Sequence, residues 1–284
     1  MKLKSFQAVG AICVTALALG LISSASASAE PTTPDRPLAA VGSDTIQDVW
    51  NALTNTGPIK SVASYDAFGA PSAIVTKTGV TAFTRPNGSG AGVKALSASL
   101  NPLNHVYKDS ANNSFTLKRN DVDIARSSSS PSVAGTDLTF LPFARDAMTV
   151  AVKDSTNTPL NLTTQQIANI FSCTAGDGVT IDGTTGKPAI GTMTFTPKLP
   201  QAASGTRAFF VKAIGVTPNT TCIPDVEQNY PENNGAALIN DGDIIAFSAA
   251  QWIAQKKPPI TAPMNCQLMM SPAMLASYCL TSFR

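Results

Sequence analysis

Histidine is almost absent from this chain, and charge is scarce. One His in 284 residues leaves no stock of imidazoles for a His-based catalytic centre or a His-ligated metal. Only 13% of residues are charged, with 20 Lys+Arg against 18 Asp+Glu. That balance lacks the basic face which a nucleic-acid binder sets against phosphates. No C-x-x-C pair occurs, and the single His105 is remote in sequence from the mature cysteines, which argues against structural zinc. The G-x-S-x-G nucleophile elbow is missing too: Ser89 sits in Asn87-Gly88-Ser89-Gly90-Ala91. Gly186-Lys187 has neither the upstream Gly nor the downstream Ser or Thr of a P-loop. His105 has no triad partner near it and reads as a surface residue.

What is present begins with a targeting segment. Lys2 and Lys4 precede an apolar run from Ala8 to Ile22, and Ala27-Ser28-Ala29 forms a small-residue cleavage site before Glu30. Residues 1–29 therefore read as a secretory signal peptide; the run is short for a bilayer span. Cys13 lies inside that run after Ile12, a poor context for lipid modification, so no lipid anchor is expected. Cleavage removes two Lys and no acid, leaving 18 basic and 18 acidic residues. The expected location is exported: extracellular, cell-surface or periplasmic. Four cysteines then remain, Cys173, Cys222, Cys266 and Cys279. In an oxidising compartment they read as disulfides with three possible connectivities, and their spacing favours Cys173–Cys222 and Cys266–Cys279.

Along the mature chain, residues 30–37 are a Pro-rich leader, expected to be flexible. Leu38–Val41 reads as a buried strand, Gly42–Thr45 as a capping turn, and Ile46, Val49, Trp50 and Leu53 as one face of a helix. Gly79–Phe83 reads as a strand, Arg85–Gly92 as a turn and Val93–Leu96 as a helix start. Asp121–Arg126 is a further strand, followed by Ser127 to Ser130. Ala147–Val152 is an apolar strand, and Thr163–Phe171 a helix capped by Thr163 or Thr164. Leu199–Thr206 is a polar turn before a helix over Arg207–Ile214. Ile244–Phe247 is a strand, and Ser248–Gln255 a helix. Trp50, Trp252 and the Met269, Met270 and Met274 cluster read as core. This mixture points to an α/β fold.

Three turns share one chemistry: Gly42–Thr45, Asn87–Gly92 and Ala203–Thr206. Each sets Gly and hydroxyls at a helix start. There, free N–H groups and the positive end of the helix dipole favour an anion. Converging, they make an oxyanion cage without excess Lys or Arg. Asp123 adds a carboxylate, which suits an anion that carries a proton: phosphate donates to it, whereas sulfate would present an unpaired acceptor.

The stretches VGSDTIQDVW, RPNGSGAGVKAL, DVDIARSSSS, ARDAMTVAV and LPQAASGTRAFF resemble the phosphate-binding proteins of phosphate ABC transporters. They fall in the family's order and span most of the mature chain. The resemblance implies a periplasmic-binding-protein-like α/β fold of type II, with two lobes joined by two crossing strands and the ligand cleft between them. Lobe one would hold residues 38–144 and 248–284, and lobe two residues 145–247. It implies phosphate held by Thr45, Ile46, Ser89, Gly90, Asp123, Ser204, Gly205 and Thr206, with Ser43 a weaker candidate. The family's Arg, four residues before the Ser of S-G-T, is Pro200 here. Arg126 is the preferred substitute, with Arg207 and Arg145 as weaker ones.

The function implied is an exported receptor that captures inorganic phosphate by lobe closure and presents it to an ABC permease. It would act as a monomer, without cofactor, metal, nucleic acid or covalent chemistry. The alternatives are another oxyanion, a phosphorylated solute, or a secreted phosphoester hydrolase. The mature 255 residues are short for the family.

Overall fold

The computed structural model describes residues 30–31, 35–101, 103, 105–129, 137–156, 160–220, 222–224, 227–256 and 266–282, with residue 256 and 266–282 as backbone only. The proposed signal peptide, Cys13 and the side chains of Met269, Met270 and Met274 lie outside that description. No described helix is long and apolar enough to cross a membrane.

The first part of the chain carries β1 (Leu38–Gly42), α1 (Gln47–Asn51), β2 (Val62–Ser64), the hairpin β3 (Ala73–Ile74) and β4 (Phe83–Thr84), and α2 (Ser89–Leu100). It continues with the hairpin β5 (Val106–Lys108) and β6 (Ser114–Thr116), β7 (Ile124–Ser127) and β8 (Thr139–Lys153). Next come α3 (Thr164–Ser172) and the small antiparallel sheet of β9 (Thr180–Ile181), β10 (Pro188–Ile190) and β11 (Met193–Thr194). The last elements are β12 (Thr196–Lys198), α4 (Gly205–Ile214), β13 (Asp243–Ser248), α5 (Ala249–Lys256) and β14 (Cys266–Ser282).

One seven-stranded sheet has the order β12-β13-β8-β14-β7-β1-β2. At one side β2, β1 and β7 are parallel, and at the other β12 and β13 are parallel. Between them β8 and β14 run antiparallel to each other along nearly their whole length. The register shows how two half-sheets share that pair. Ser127 at the end of β7 lies opposite Cys279, which pairs with Pro142, whereas Ser248 at the end of β13 lies opposite Met148. The carboxyl ends of both parallel sets therefore point at the same junction, in the middle of β8. The ladder slips in register between Met270 and Leu275, beside that junction.

Two apolar cores flank the junction. One gathers Val41, Phe83, Leu96, Tyr107, Leu117 and Val122; the other Val150, Ile170, Phe171, Phe195, Phe210 and Ile244. The chain is a two-lobed α/β protein, as the motif order implied.

Several local expectations change. The first helix is only five residues long and passes into a wider turn over Ala52–Thr56. Its buried side is Ile46, Trp50 and Thr54, while Val49 and Leu53 are exposed. The widened turn moves Leu53 off the inner face, and Thr54 donates to the Trp50 carbonyl at 2.8 Å. The expected strand over Gly79–Phe83 is a two-residue hairpin arm. The apolar Ala147–Val152 is only the inner part of a 15-residue strand whose outer part is partly exposed, with no fully buried residue. The leader is anchored where it is described. Glu30 pairs with the Arg85 guanidinium, and Arg36 donates to the carbonyls of Thr54 at 2.6 Å and Val62 at 2.8 Å.

Helix α3 opens with the expected Thr163 cap, in a reciprocal capping box with Gln166. It closes on Cys173 in the left-handed conformation, and Cys173 is disulfide-bonded to Cys222. For the other favoured pairing the backbone course of β14 speaks against a bridge. Cys266 and Cys279 occupy opposite ends of β14, and an extended strand rises ~3.3 Å per residue. Their backbones thus lie far beyond the roughly 7 Å that a disulfide spans. The Cys173–Cys222 bridge closes a separation of 49 residues around the second core. Chain entropy then assigns it about 4 kcal/mol, with engineered cases commonly nearer 2. The double variant Cys173→Ser/Cys222→Ser is expected to lose about 2–4 kcal/mol in urea unfolding; a loss under about 0.5 kcal/mol would contradict this.

Candidate functional site

The junction is lined by the turns that leave the parallel strands. After β1 the chain turns through Ser43, Asp44 and Thr45 into α1. After β7 it reaches Ser128, and after β12 it passes Gln201 and Ser204 into α4. Ser89 starts α2, and its preceding Gly88 has φ 104°, a conformation that glycine takes without the Cβ penalty. Gly42 and Asn87 form a parallel bridge that ties the first two turns together.

Buried hydroxyls from both half-sheets meet here. Thr45 Oγ1 lies 3.2 Å from Thr206 Oγ1 and 3.0 Å from Ser43 Oγ. Ser89 Oγ lies 2.9 Å from Ser128 Oγ and accepts from the Ser128 N–H at 2.8 Å. Thr206 Oγ1 donates to Ser128 Oγ at 3.4 Å. Ser204 caps α4 by accepting from the Arg207 N–H at 3.0 Å, and donates to Glu232 Oε1 at 2.8 Å. The backbones also touch: the Gly90 N–H donates to the Ala203 carbonyl at 2.9 Å.

Two carboxyl groups complete the cage. Asp44 accepts from the Glu232 N–H at 3.2 Å and from Gln201 Nε2 at 3.5 Å. Glu232 Oε1 also accepts from Thr45 Oγ1 at 3.2 Å. Both residues are fully buried. Burial raises the Asp44 carboxyl above its ordinary range. Burial first, and then the Asp44 charge, push the Glu232 carboxyl well above its own. Glu232 sits just beyond a turn anchored by Lys198, whose ammonium donates to Glu227 at 2.5 Å and to the Tyr230 hydroxyl at 3.0 Å.

Of the residues expected in the site, the structure brings together Ser43, Thr45, Ser89, Gly90, Ser204, Gly205 and Thr206. Ile46, expected to contribute its backbone, is at the same turn as the residue that precedes α1, with its side chain in a small apolar cluster with Trp50 and Val62. It does not bring in Asp123, Arg126, Arg145 or Arg207. Asp123 Oδ2 accepts from the Ala39 N–H at 2.8 Å and pairs with Lys77 at 2.6 Å. It therefore lies at the amino ends of β1 and β7, across the sheet from the cage. Arg126 is wholly buried but points away from the cage. It donates to the carbonyls of Ser43 (3.1 Å), Ala40 (3.2 Å), Gly42 (3.4 Å) and Tyr65 (2.6 Å), and to Ser64 Oγ (2.8 Å). Burial pulls its pKa down to about 10, so it stays cationic at neutral pH. Arg207 is turned onto the Pro200 carbonyl and the Gln228 side chain, and Arg145 is exposed on β8.

Four cage residues escaped sequence reasoning. Asp44 and Ser128 lie inside motifs already singled out, and Ser128 follows a strand end as the other turns do. Gln201 occurs within the third polar turn. Glu232, in Tyr230-Pro231-Glu232-Asn233, carries no local signal at all.

Gly205 sits at the tightest point of the closed cage. A Cβ on it would come within 2.6 Å of Ser128 Oγ, 2.7 Å of Ser89 Oγ and 3.1 Å of the Ser129 backbone nitrogen. Gly205→Ala is therefore expected to wedge the junction open while leaving α4 helical, since Ala suits a first helical turn. The Gly90 amide should then exchange hydrogen at least about tenfold faster, a loss of about 1.4 kcal/mol of protection. Unchanged exchange would show that the junction does not close this tightly.

No family model matches the chain, and no curated relative does. Solved structures do. A putative phosphate ABC transporter substrate-binding protein with bound phosphate from Clostridium perfringens is 14% identical, with a TM-score of 0.51 over 87% of this chain and 86% of that one. A phosphate-binding protein from Stenotrophomonas maltophilia is 14% identical, with a TM-score of 0.49 over 86% and 78%. An ABC-type phosphate transport receptor from Vibrio cholerae is 13% identical, with a TM-score of 0.48 over 87% and 86%. At such identities the likeness is one of fold. The chain shares the two-lobed, periplasmic-binding-protein-like architecture of the Clostridium perfringens protein.

Proposed function

We propose that this chain is an exported solute receptor that captures inorganic phosphate between its lobes and delivers it to an ABC permease. The observation that carries the reading is the convergence of Ser43, Thr45, Ser89, Ser128, Ser204 and Thr206 at the carboxyl ends of two facing parallel sets. Ligands of open α/β sheets bind at such strand ends. The pairs Thr45–Thr206 and Ser89–Ser128 bond to each other in the closed form, and would exchange those bonds for ligand oxygens. The starts of α2 and α4 add dipoles of the sign that favours an anion. The shared fold with a protein solved with bound phosphate supports the same reading.

Lobe one holds residues 38–144 with the outer half of β14, and lobe two residues 145–247. We assign α5 to lobe two, because Trp252 rests on the cluster of Leu238, Ile245 and Phe247. The acceptor role expected of Asp123 falls to Asp44 and Glu232. Neither carboxyl has an ion-pair partner among the described residues. The ligand must then bring its own proton to meet them, which phosphate does and sulfate does not. No covalent step is involved. A second reading, another protonated oxyanion or a phosphorylated solute, is favoured by the guanidinium missing from the cage.

Titration calorimetry against phosphate, sulfate and molybdate separates these. Phosphate is expected to bind at least ~100-fold more tightly than sulfate, because a buried unpaired acceptor facing charge costs about 3 kcal/mol. Thr206→Val should weaken phosphate about 10- to 100-fold, the worth of one hydrogen bond to a charged group. Sulfate binding as tightly as phosphate would sink the assignment.

A further inference from the structure

Glu232 and Asp44 are 188 residues apart in sequence, one on each proposed lobe, and they meet across the junction. Glu232 Oε1 is satisfied by Ser204 and Thr45, but Oε2 is buried and meets no donor. Its neighbour across the junction is Asp44, whose Oδ2 accepts from the Glu232 N–H at 3.2 Å.

Among the described residues no cation bonds to either carboxyl, and the buried Arg126 guanidinium acts on Asp44 only through space. From α1 the next charge is Asp48, another acid. From β7 comes Arg126, whose donors are spent on the carbonyls of Ala40, Gly42, Ser43 and Tyr65 and on Ser64 Oγ. From α4 comes Arg207, turned onto Pro200 and Gln228. Lys198 on β12 serves Glu227 and Asp243. Helix α5 presents neutral Gln251, and the polar turn before α4 neutral Gln201.

Two ionised carboxylates cannot share a dry contact without such a cation. A single proton between them resolves it: the protonated acid donates to the ionised one, which also satisfies the orphaned oxygen. In an open cleft both groups are hydrated and ionise in the ordinary carboxyl range. In the ligand-free chain, closing the lobes must then take a proton from solvent; with phosphate bound, the ligand's own proton fills that place.

We propose that Asp44 and Glu232 form a carboxyl–carboxylate latch that couples lobe closure to the uptake of one proton, so that the receptor closes in acidic medium and opens as pH rises. This builds on the interlobe cleft as the ligand site, and would make capture a response to acidity as well as to ligand. The sign follows from linkage. The closed form binds the proton more tightly, so above the usual value of 4.5 for Glu232 its share falls with pH, up to about tenfold per pH unit. The loss continues through the raised value of the closed pair.

Small-angle scattering of the ligand-free full chain from about pH 5 to about pH 8 tests this without phosphate, so it can fail or succeed independently of phosphate binding. The radius of gyration is expected to rise with pH. Glu232→Gln, whose amide supplies permanently the donor that the proton supplies, should stay compact throughout. Asp44→Asn, which removes the opposing charge, should flatten the curve likewise. A wild-type radius that does not change over this range overturns the latch, whether or not either variant folds. So does a Glu232→Gln protein that opens along the wild-type curve.

Discussion

Strand β8 must belong to two half-sheets at once. Its outer residues pair with the part of β14 that borders β7, and its inner residues pair with β13. Because β7 and β13 run in opposite directions on either side of that pair, their carboxyl ends face each other. Every turn that leaves a parallel strand toward a helix is thereby delivered to one place. Each lobe keeps its own apolar core, so the two can move as units, and the register slip in β14 falls where such movement would bend the ladder. Shear or hinge closure about a short crossing is a common solution for this architecture.

Charge is used sparingly, and its placement is instructive. The guanidinium of Arg126, wholly buried, holds backbone carbonyls at the ends of β1 and β2 in place of a ligand. It shapes the turn that carries Ser43, Asp44 and Thr45 from behind. The cage is thus built of hydroxyls, helix starts and two acids. Uncompensated buried carboxylates are costly, and a protonated partner is the inexpensive way to keep them. A site of that kind discriminates by the protons a ligand carries more than by its charge alone.

The local grammar was legible in the chain. Thr163 caps α3 where its chemistry puts it, but α2 and α4 start earlier than expected, at Ser89 instead of Val93 and at Gly205 instead of Arg207, so Ser89 and Thr206 lie in first helical turns. Leu38–Val41 and Ile244–Phe247 read as strands because continuous apolar runs suit strands buried on both faces. The outer half of β8 did not, since none of its residues is fully buried and they carry no periodic apolar signal. β14 escaped for a related reason: its Met, Pro and Ser residues look like core filling, and only its pairing partners make it a strand. Asp123 and Arg126 were attractive because they stand near a ligand turn in sequence. The rise along β7, however, carries Asp123 to the amino end of the strand, away from the cage, and Arg126 spends its donors on backbone carbonyls and Ser64.

The sequence by itself determined the alternation of strands and helices, the polar turns at their starts, and a near-neutral charge balance that speaks against a nucleic-acid partner. These are properties of neighbouring residues, set by caps, periodicity and composition. Tertiary structure alone decided which turns meet, which cysteines can pair, and which charges accompany the hydroxyls. Those outcomes depend on strand direction and register across residues as distant as Asp44 and Glu232, and no local pattern encodes that distance. The acid opposite Asp44 comes from an unremarkable Tyr-Pro-Glu-Asn loop because Lys198 and the β12–β13 edge carry that loop to the junction.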